Sequence, residues 1–256
     1  MKSVTIGNIT IGEGIPKICV PIVGVTEQDI LQQINQIDKE CVDLIEWRCD
    51  WYEYCFDTSK VLQTLSVIKN MVKQIPILFT FRTEKEGGQK EISQKQYEAL
   101  LLAVIKCKKV DMIDIELFTD SIVLNSLLQK AKQYAVKTIV SNHDFKKTPQ
   151  ENEIISRLCT MQKLGADITK IAVMPQNKKD VLTLLCATEQ MQCQYADRPF
   201  VTMSMGNMGG ISRIVGEIFG SAITFGAVQK SSAPGQIEAK KLKQLLQMIH
   251  NSMIEM

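Results

Sequence analysis

Eight short apolar runs alternate along the chain with longer segments whose apolar residues recur at helical spacing. The runs are KICVPIVG (17–24), DLIEWRCD (43–50), PILFTFRT (76–83), MIDIEL (112–117), KTIVSNH (137–143), ITKIAVMP (168–175), FVTMSMG (200–206) and AITFGAV (222–228). Their length predicts strands. TEQDILQQINQIDKE (26–40), SQKQYEALLLAVIKC (93–107) and NEIISRLCTMQKLG (152–165) lie between them and predict helices. Thr26 followed three residues later by Asp29 predicts an acidic variant of a helix-opening capping box. Eight strands alternating with helices is the count of an α/β fold of the (β/α)8 TIM-barrel kind. A doubly wound open sheet has the same pattern, because a sequence does not show closure. The first residues, SVTIGNITIGEG (3–14), alternate around Gly7-Asn8 and predict an N-terminal β-hairpin outside the repeat, placed to cap a barrel floor. No Pro/Gly/Ser-rich linker divides the chain, so residues 1–256 read as a single (β/α)8 barrel domain.

The polar residues inside these runs share one phase. Successive strand side chains point to opposite faces. Leu44, Glu46, Arg48 and Asp50 fall on one face of their run, and Ile45 and Trp47 on the other. Thr80 with Arg82, Asp114 with Glu116, and Ser141 with His143 repeat the arrangement, opposed by residues such as Ile113 and Ile115. Each set lies in the middle or C-terminal part of its strand, the end where barrel active sites sit. A self-satisfied ion network is the alternative reading. It is a poor way to stabilise a core, because removing charges from water costs more than their pairing usually returns.

Lys170 is the conspicuous member. Five of the seven residues from Ile168 to Met174 are apolar, and the lysine sits among them. A free amine attacks ketones and an ammonium does not. Burial and neighbouring cations such as Arg48 and Arg82 would lower its pKa, which points to a Schiff-base lysine. The chain has two histidines. His143 stands at a strand end before Asp144 and is the natural proton shuttle. His250, in the terminal amphipathic segment KKLKQLLQMIH, reads as a surface residue.

Composition narrows the class. A net charge of +2, with lysine pairs scattered along the chain, argues against nucleic acid as a partner. The eight cysteines form no CxxC pair and no zinc-spaced cluster, which predicts reduced thiols and no metal. No basic segment leads into a long apolar run, and no run is long enough to span a bilayer. The expectation is a cytoplasmic protein without membrane contact.

Ordered blocks along the chain extend this reading. They are EWRCD (46–50), FTFRTEKEGG (79–88), DIEL (114–117), SNHDF (141–145), ITKIAVMP (168–175), MSMGNMGGISRIVGEIFGSAITFG (203–226) and SSAPGQI (231–237). In these blocks the chain resembles the type I 3-dehydroquinate dehydratases, the Schiff-base enzymes of the shikimate pathway, in stand-alone form. The resemblance implies that Lys170 forms an imine with the C3 ketone of 3-dehydroquinate. His143 would act as general acid/base, with Glu86 and Asp114 as acidic residues near it. Arg213 would grip the substrate carboxylate, a task suited to a bidentate fork. Glu46, Arg48 and Arg82 would position the ring hydroxyls. Ser232 and Gln236 would belong to a mobile segment that closes over the substrate. Met203, Met205, Phe145 and Phe225 would be apolar walls. The family implies a homodimer, no metal and no organic cofactor.

Three other readings stay open from the residues alone. A class I aldolase acting on a sugar phosphate could use GNMGG (206–210) as a phosphate loop and Arg213 beside it. A metal-dependent lyase could use Glu46, Asp50, Asp114 and Glu116 as ligands, against which Arg48 and Arg82 already balance those charges. A catalytically silent binding protein could keep the fold, although the lysine, histidine and arginine set argues against it.

Overall fold

A computed structural model describes residues 2–228 and 235–254. The first two strands, β1 (Val4–Ile6) and β2 (Ile9–Ile11), pair antiparallel with Val4 opposite Ile11. Gly7 makes the turn in the left-handed region at φ 57°, as the hairpin reading requires.

The alternation that follows is β3 (Lys17–Ile22), α1 (Glu27–Asn35), β4 (Leu44–Arg48), α2 (Thr58–Val72), β5 (Ile77–Thr80), α3 (Gln94–Cys107), β6 (Met112–Glu116) and α4 (Ser121–Gln133). It continues through β7 (Lys137–Asp144), α5 (Glu151–Lys163), β8 (Ile168–Val173), α6 (Lys178–Gln190), β9 (Phe200–Ser204), α7 (Gly216–Phe219), β10 (Ile223–Ala227), β11 (Ile237–Glu238) and α8 (Ala239–Ile254). Strands β3 to β9 pair in parallel in chain order, and β10 lies beside β3. The ends meet where Ala222 N–H donates to the Phe200 carbonyl at 2.8 Å, beside a parallel bridge between Phe200 and Ser221. The sheet is therefore curled and closed into a barrel rather than open.

All eight predicted strands are present. Thr26 opens α1 with the expected capping box, its hydroxyl accepting from Asp29 N–H while Asp29 accepts from Thr26 N–H. That helix ends at Asn35, earlier than the predicted residue 40, where the chain leaves for a turn from Asp38 to Cys41. After β9 the chain makes a 3-10 turn over Asn207–Arg213 and the four-residue α7 instead of a long helix. The two-residue β11 pairs in parallel with β10, with Ile237 opposite Gly226, and was not legible as a strand. His250 is half-buried rather than on the open surface, because its Nδ1 meets the Glu217 carboxylate at 2.7 Å.

The barrel interior is layered by the two-residue period of its strands. Val4, Ile6 and Ile11 of the hairpin pack with Cys19, Leu44, Leu78, Met112, Ile139 and Ile168, which close the floor. Two residues further along each strand, the floor gives way to Glu46, Thr80, Asp114, Ser141 and Lys170, all buried. A third level carries Arg48, Arg82, Glu116 and His143. The opposite phase, including Ile45, Trp47, Ile113, Ile115 and Ile171, packs outward in a separate cluster with helix residues such as Leu65 and Leu101. The apolar floor thus places the charged layers in the C-terminal half of the barrel.

Candidate active site

Lys170 occupies the middle of β8, opposite Ser141 of β7 and Val201 of β9. It is 3% exposed, and its Nζ lies 4.1 Å from the centre of the Phe225 ring. Among the described residues no carboxylate lies within ion-pair distance of this amine. Burial lowers its pKa, Glu46 and Asp114 pull the other way, and Arg82 lowers it further. Desolvation therefore leads, as a lysine in an apolar strand requires. Arg48, named with Arg82 from the sequence, is committed elsewhere: its Nε and Nη2 each donate to Asp50 at 2.8 Å.

Arg82 holds the acidic residues together. Its Nη2 lies 2.9 Å from Asp114, and its Nη1 lies 2.9 Å from Glu116 and 3.6 Å from Glu86. Burial alone would weaken this cation, but Asp114, Glu116 and Glu86 outweigh it and keep it charged. Asp114 also accepts from Ser141 at 2.7 Å, and Glu116 from the Thr83 hydroxyl at 2.7 Å. Glu46 accepts from Thr80 at 2.8 Å. A buried charge network is therefore present, with the lysine beside it. The carboxylates offered as metal ligands are engaged by arginines and hydroxyls. Among the described residues, no group of three or more His, Cys, Asp or Glu is arranged to hold a metal ion.

Glu86 arrives from outside the strands. It ends a 3-10 turn, Glu84–Glu86, after β5. Gly87 leaves that turn at φ +83°, and the Phe145 ring occupies the space of its missing side chain. A Cβ on Gly88 would fall 1.8 Å from the Arg82 carbonyl, so only glycine lets the loop fold back here. The carboxyl so placed meets His143 Nδ1 at 2.9 Å and accepts the His143 backbone N–H at 3.0 Å. Burial and Glu116 push Glu86 up to about 8, against Arg82 and a hydrogen bond from Asn142. Burial, with Arg82, Lys170 and Arg48, pushes the His143 imidazole well below its usual value. The neighbouring Asp144 does not orient the ring; it accepts from the backbone of Lys146 and Lys147. Asp114 serves Arg82 and Ser141 rather than the imidazole.

One cavity at the C-terminal end of the barrel is lined by Lys170 and His143, by Glu46, Arg48, Arg82, Glu86 and Arg213, and by Gln236. Met203, Met205, Phe145 and Phe225 line it as well, as the apolar-wall reading expects. Arg213 comes from the 3-10 turn after β9 and is 1% exposed; burial lowers its pKa to about 10. Its Nη1 donates to the Phe225 carbonyl at 3.3 Å. The turn that carries it is braced by Ser212, whose hydroxyl accepts from Ser204 N–H and donates to the Gly209 carbonyl. Gln236 reaches the cavity through the pairing of β11 with β10. Of the segment 228–241 expected to form the lid, residues 229–234, Ser232 among them, lie outside the described residues.

The sequence reading missed three residues around this site. Thr83 is hydrogen-bonded to Glu116, and Asn142 and Arg157 lead outward from Glu86. Asn142 stands in the strand phase opposite to His143, and Arg157 lies on a helix, so neither carried a periodic signal.

The profile of the family described as Type I 3-dehydroquinase matches residues 18–253. The chain is 51% identical over 251 residues to a 3-dehydroquinate dehydratase of Clostridioides difficile (strain 630), covering 98% of each chain. It superposes with a TM-score of 0.95 on a crystal structure of type I 3-dehydroquinate dehydratase from Clostridium difficile with covalently modified comenic acid, at 51% identity and 98% coverage of both chains. An Enterococcus faecalis 3-dehydroquinate dehydratase structure is 44% identical, with a TM-score of 0.90 and coverage of 96% of this chain and 98% of that one. By sequence over nearly its whole length and by fold, the chain belongs to the type I 3-dehydroquinase family.

Proposed function

We propose that this chain dehydrates 3-dehydroquinate to 3-dehydroshikimate through an imine on Lys170. The single observation that carries the reading is the buried Lys170 amine, set among apolar neighbours and facing a cavity that also holds His143 and Arg213. A covalently modified ligand in a relative of 51% identity supports covalent chemistry in this fold.

The neutral Lys170 amine adds to the C3 carbonyl carbon, and the carbonyl oxygen, taking one proton from the amine and one from solvent that the final hydrolysis returns, leaves as water, giving an iminium. That cation withdraws electrons better than the ketone. His143 removes a proton from C2, and the C2–H electrons move toward nitrogen to form an enamine. The enamine returns those electrons to expel the C1 hydroxyl, which takes the proton from His143 and departs as water. Water then hydrolyses the product imine and frees Lys170. The two water exchanges at C3 cancel, so the net change is loss of one water. Syn elimination is the stereochemistry that family membership implies.

The remaining residues take positioning roles in this scheme. Arg213 receives the substrate carboxylate, its fork suited to two oxygens. Glu46, Arg48 and Arg82 face the ring hydroxyls, with Arg82 also setting the charge beside Lys170. Glu86 orients His143, Asp114 steadies Arg82, and Gln236 contacts the substrate at the cavity mouth. A cytoplasmic homodimer completes the proposal. Eight cysteines held as thiols suit a reducing compartment. Among the described residues no helix is long and apolar enough to cross a membrane. Phe118 and Ile122, exposed by 69% and 79%, are apolar surface that a second copy could cover.

Chelator-treated protein assayed with 3-dehydroquinate, and separately with phosphorylated ketoses, tests this reading. It predicts full dehydration of the former after chelation and no cleavage of the latter. Loss of activity on chelation, or turnover of the ketose phosphates alone, would contradict it.

A further inference from the structure

A carboxyl group next to an imidazole does not by itself fix where the protons are. Glu86 could accept or, protonated, donate, and a neutral histidine carries its proton on either nitrogen. The next two residues outward decide between these states. Arg157 on α5 offers its Nη1 to Asn142 Oδ1 at 2.6 Å. A guanidinium has donors only, so the group it meets must be the amide carbonyl. The Asn142 NH2 therefore faces the other way and donates to Glu86 Oε1 at 3.0 Å. Glu86 Oε2 receives the His143 backbone N–H at 3.0 Å. Both carboxyl oxygens are approached by obligate donors, an arrangement that favours the ionised form. An ionised Glu86 accepts from the ring at Nδ1, 2.9 Å away.

Arg157 is itself held in place. Glu153 pairs with its Nη2, and the Phe118 ring centre lies 5.5 Å from its guanidinium carbon. Asn142 and Arg157 line an outer cleft and not the cavity of Lys170, so they do not touch a substrate bound there. Beyond their contact with each other, Glu86 feels the charges of Arg82, Glu116 and Asp114, and His143 those of Arg82, Lys170 and Arg48. Burial pushes the Glu86 carboxyl toward its neutral form, so a donor of fixed orientation matters here.

We propose that Arg157 is a positioning residue that, through Asn142, favours the ionised, acceptor form of Glu86 and so keeps the proton of neutral His143 on Nδ1 whenever the pair is deprotonated, leaving Nε2 to move protons. The inference rests on the reading of His143 as the proton shuttle.

The two histidines make a spectroscopic test direct. Protein labelled with 15N-histidine, free of ligand, shows two ring systems, and His143→Gln assigns them. At about pH 9, where the pair is deprotonated, wild-type His143 should carry its proton on Nδ1 with a bare Nε2. In Arg157→Leu the amide is free to turn its carbonyl to Glu86, which stabilises a protonated carboxyl. The His143–Glu86 pair should then take up its proton about one pH unit higher. At neutral pH, kcat should fall about tenfold, the loss of deprotonated pair that a rise of about one pH unit brings, with little change in KM. Arg157→Lys, also a donor only, should retain the wild-type tautomer and titration. A wild-type proton on Nε2, or a folded Arg157→Leu that titrates as wild type, would overturn the proposal. If Arg157→Leu does not fold, the wild-type tautomer and the lysine variant still decide the matter. The tautomer is read without turnover, so its failure leaves the Lys170 reading standing.

Discussion

Lys170 Nζ stands over the Phe225 ring, 4.1 Å from its centre, one residue from β8 and the other from β10. An aromatic face receives a cation weakly and leaves a neutral amine unimpeded. Among the described residues the amine is thus buried without a carboxylate bonded to it, while Asp114 and Glu116 are held by Arg82 and Glu46 by the Thr80 hydroxyl. That division supports lone-pair chemistry at one nitrogen and charge balance around it.

Removing the hub of that network should be costly. Arg82→Met would leave Asp114 and Glu116 buried without their common partner. Breaking a buried pair on one side costs about 3–5 kcal/mol. Urea unfolding of the variant should show a loss of this size. A loss below about 1 kcal/mol would mean that hydroxyl donors and water already satisfy those carboxylates.

His143→Ala should lower turnover by more than the roughly 10²–10⁴ of one acid/base step, because the same ring serves both removal and return of a proton. Imine should accumulate in the variant, since Lys170 remains. Mass spectrometry of the variant after mixing with substrate reads the adduct directly. Near-normal turnover would take His143 out of the mechanism.

Gln236→Ala should mainly raise KM. Gln236 enters the cavity from the position just before β11, whereas Lys170 and His143 sit on strands that this change does not touch. Steady-state kinetics separates the parameters, and equal kcat and KM in variant and wild type would remove Gln236 from substrate capture.

The Glu86 carboxyl gives stability a pH slope. Its folded value of about 8 stands above its ordinary 4.5, so across that window the folded state binds more protons than the unfolded state. Stability from this group is present at low pH and is lost as pH rises toward 8. The low folded pKa of His143 acts in the opposite sense only up to its ordinary 6.5. Between about pH 6.5 and 8 the Glu86 effect should therefore dominate the pair. Urea unfolding at the two ends of that interval should show a decline in wild type that flattens in Glu86→Gln. An identical decline in both proteins would place its source elsewhere.

Much of this arrangement was legible because a barrel strand separates its faces by a period of two. Leu44, Glu46 and Arg48 against Ile45 and Trp47 already contain the floor, the charged layers and the outer core. Lys170 was visible for the same reason. The partner of His143 was not. Glu86 is 57 residues earlier, in a 3-10 turn whose fold-back depends on Gly87 and Gly88. Only the family resemblance pointed to it, and the adjacent Asp144, the local candidate, serves its own loop. The same limit hid β11, a two-residue strand that exists because β10 offers an edge, and the His250–Glu217 contact between two C-terminal helices. Contacts made by tertiary folding of irregular segments leave no period to read.

The central claim is a covalent bond between Lys170 and the substrate. Borohydride reduction in the presence of 3-dehydroquinate, followed by digestion and peptide mass mapping, tests it most directly. The account predicts one reduced adduct on the peptide that contains Lys170, absent without substrate and absent in a folded Lys170→Ala variant that has lost nearly all activity. An adduct on another lysine, or turnover by wild-type protein with no adduct at all, would contradict it.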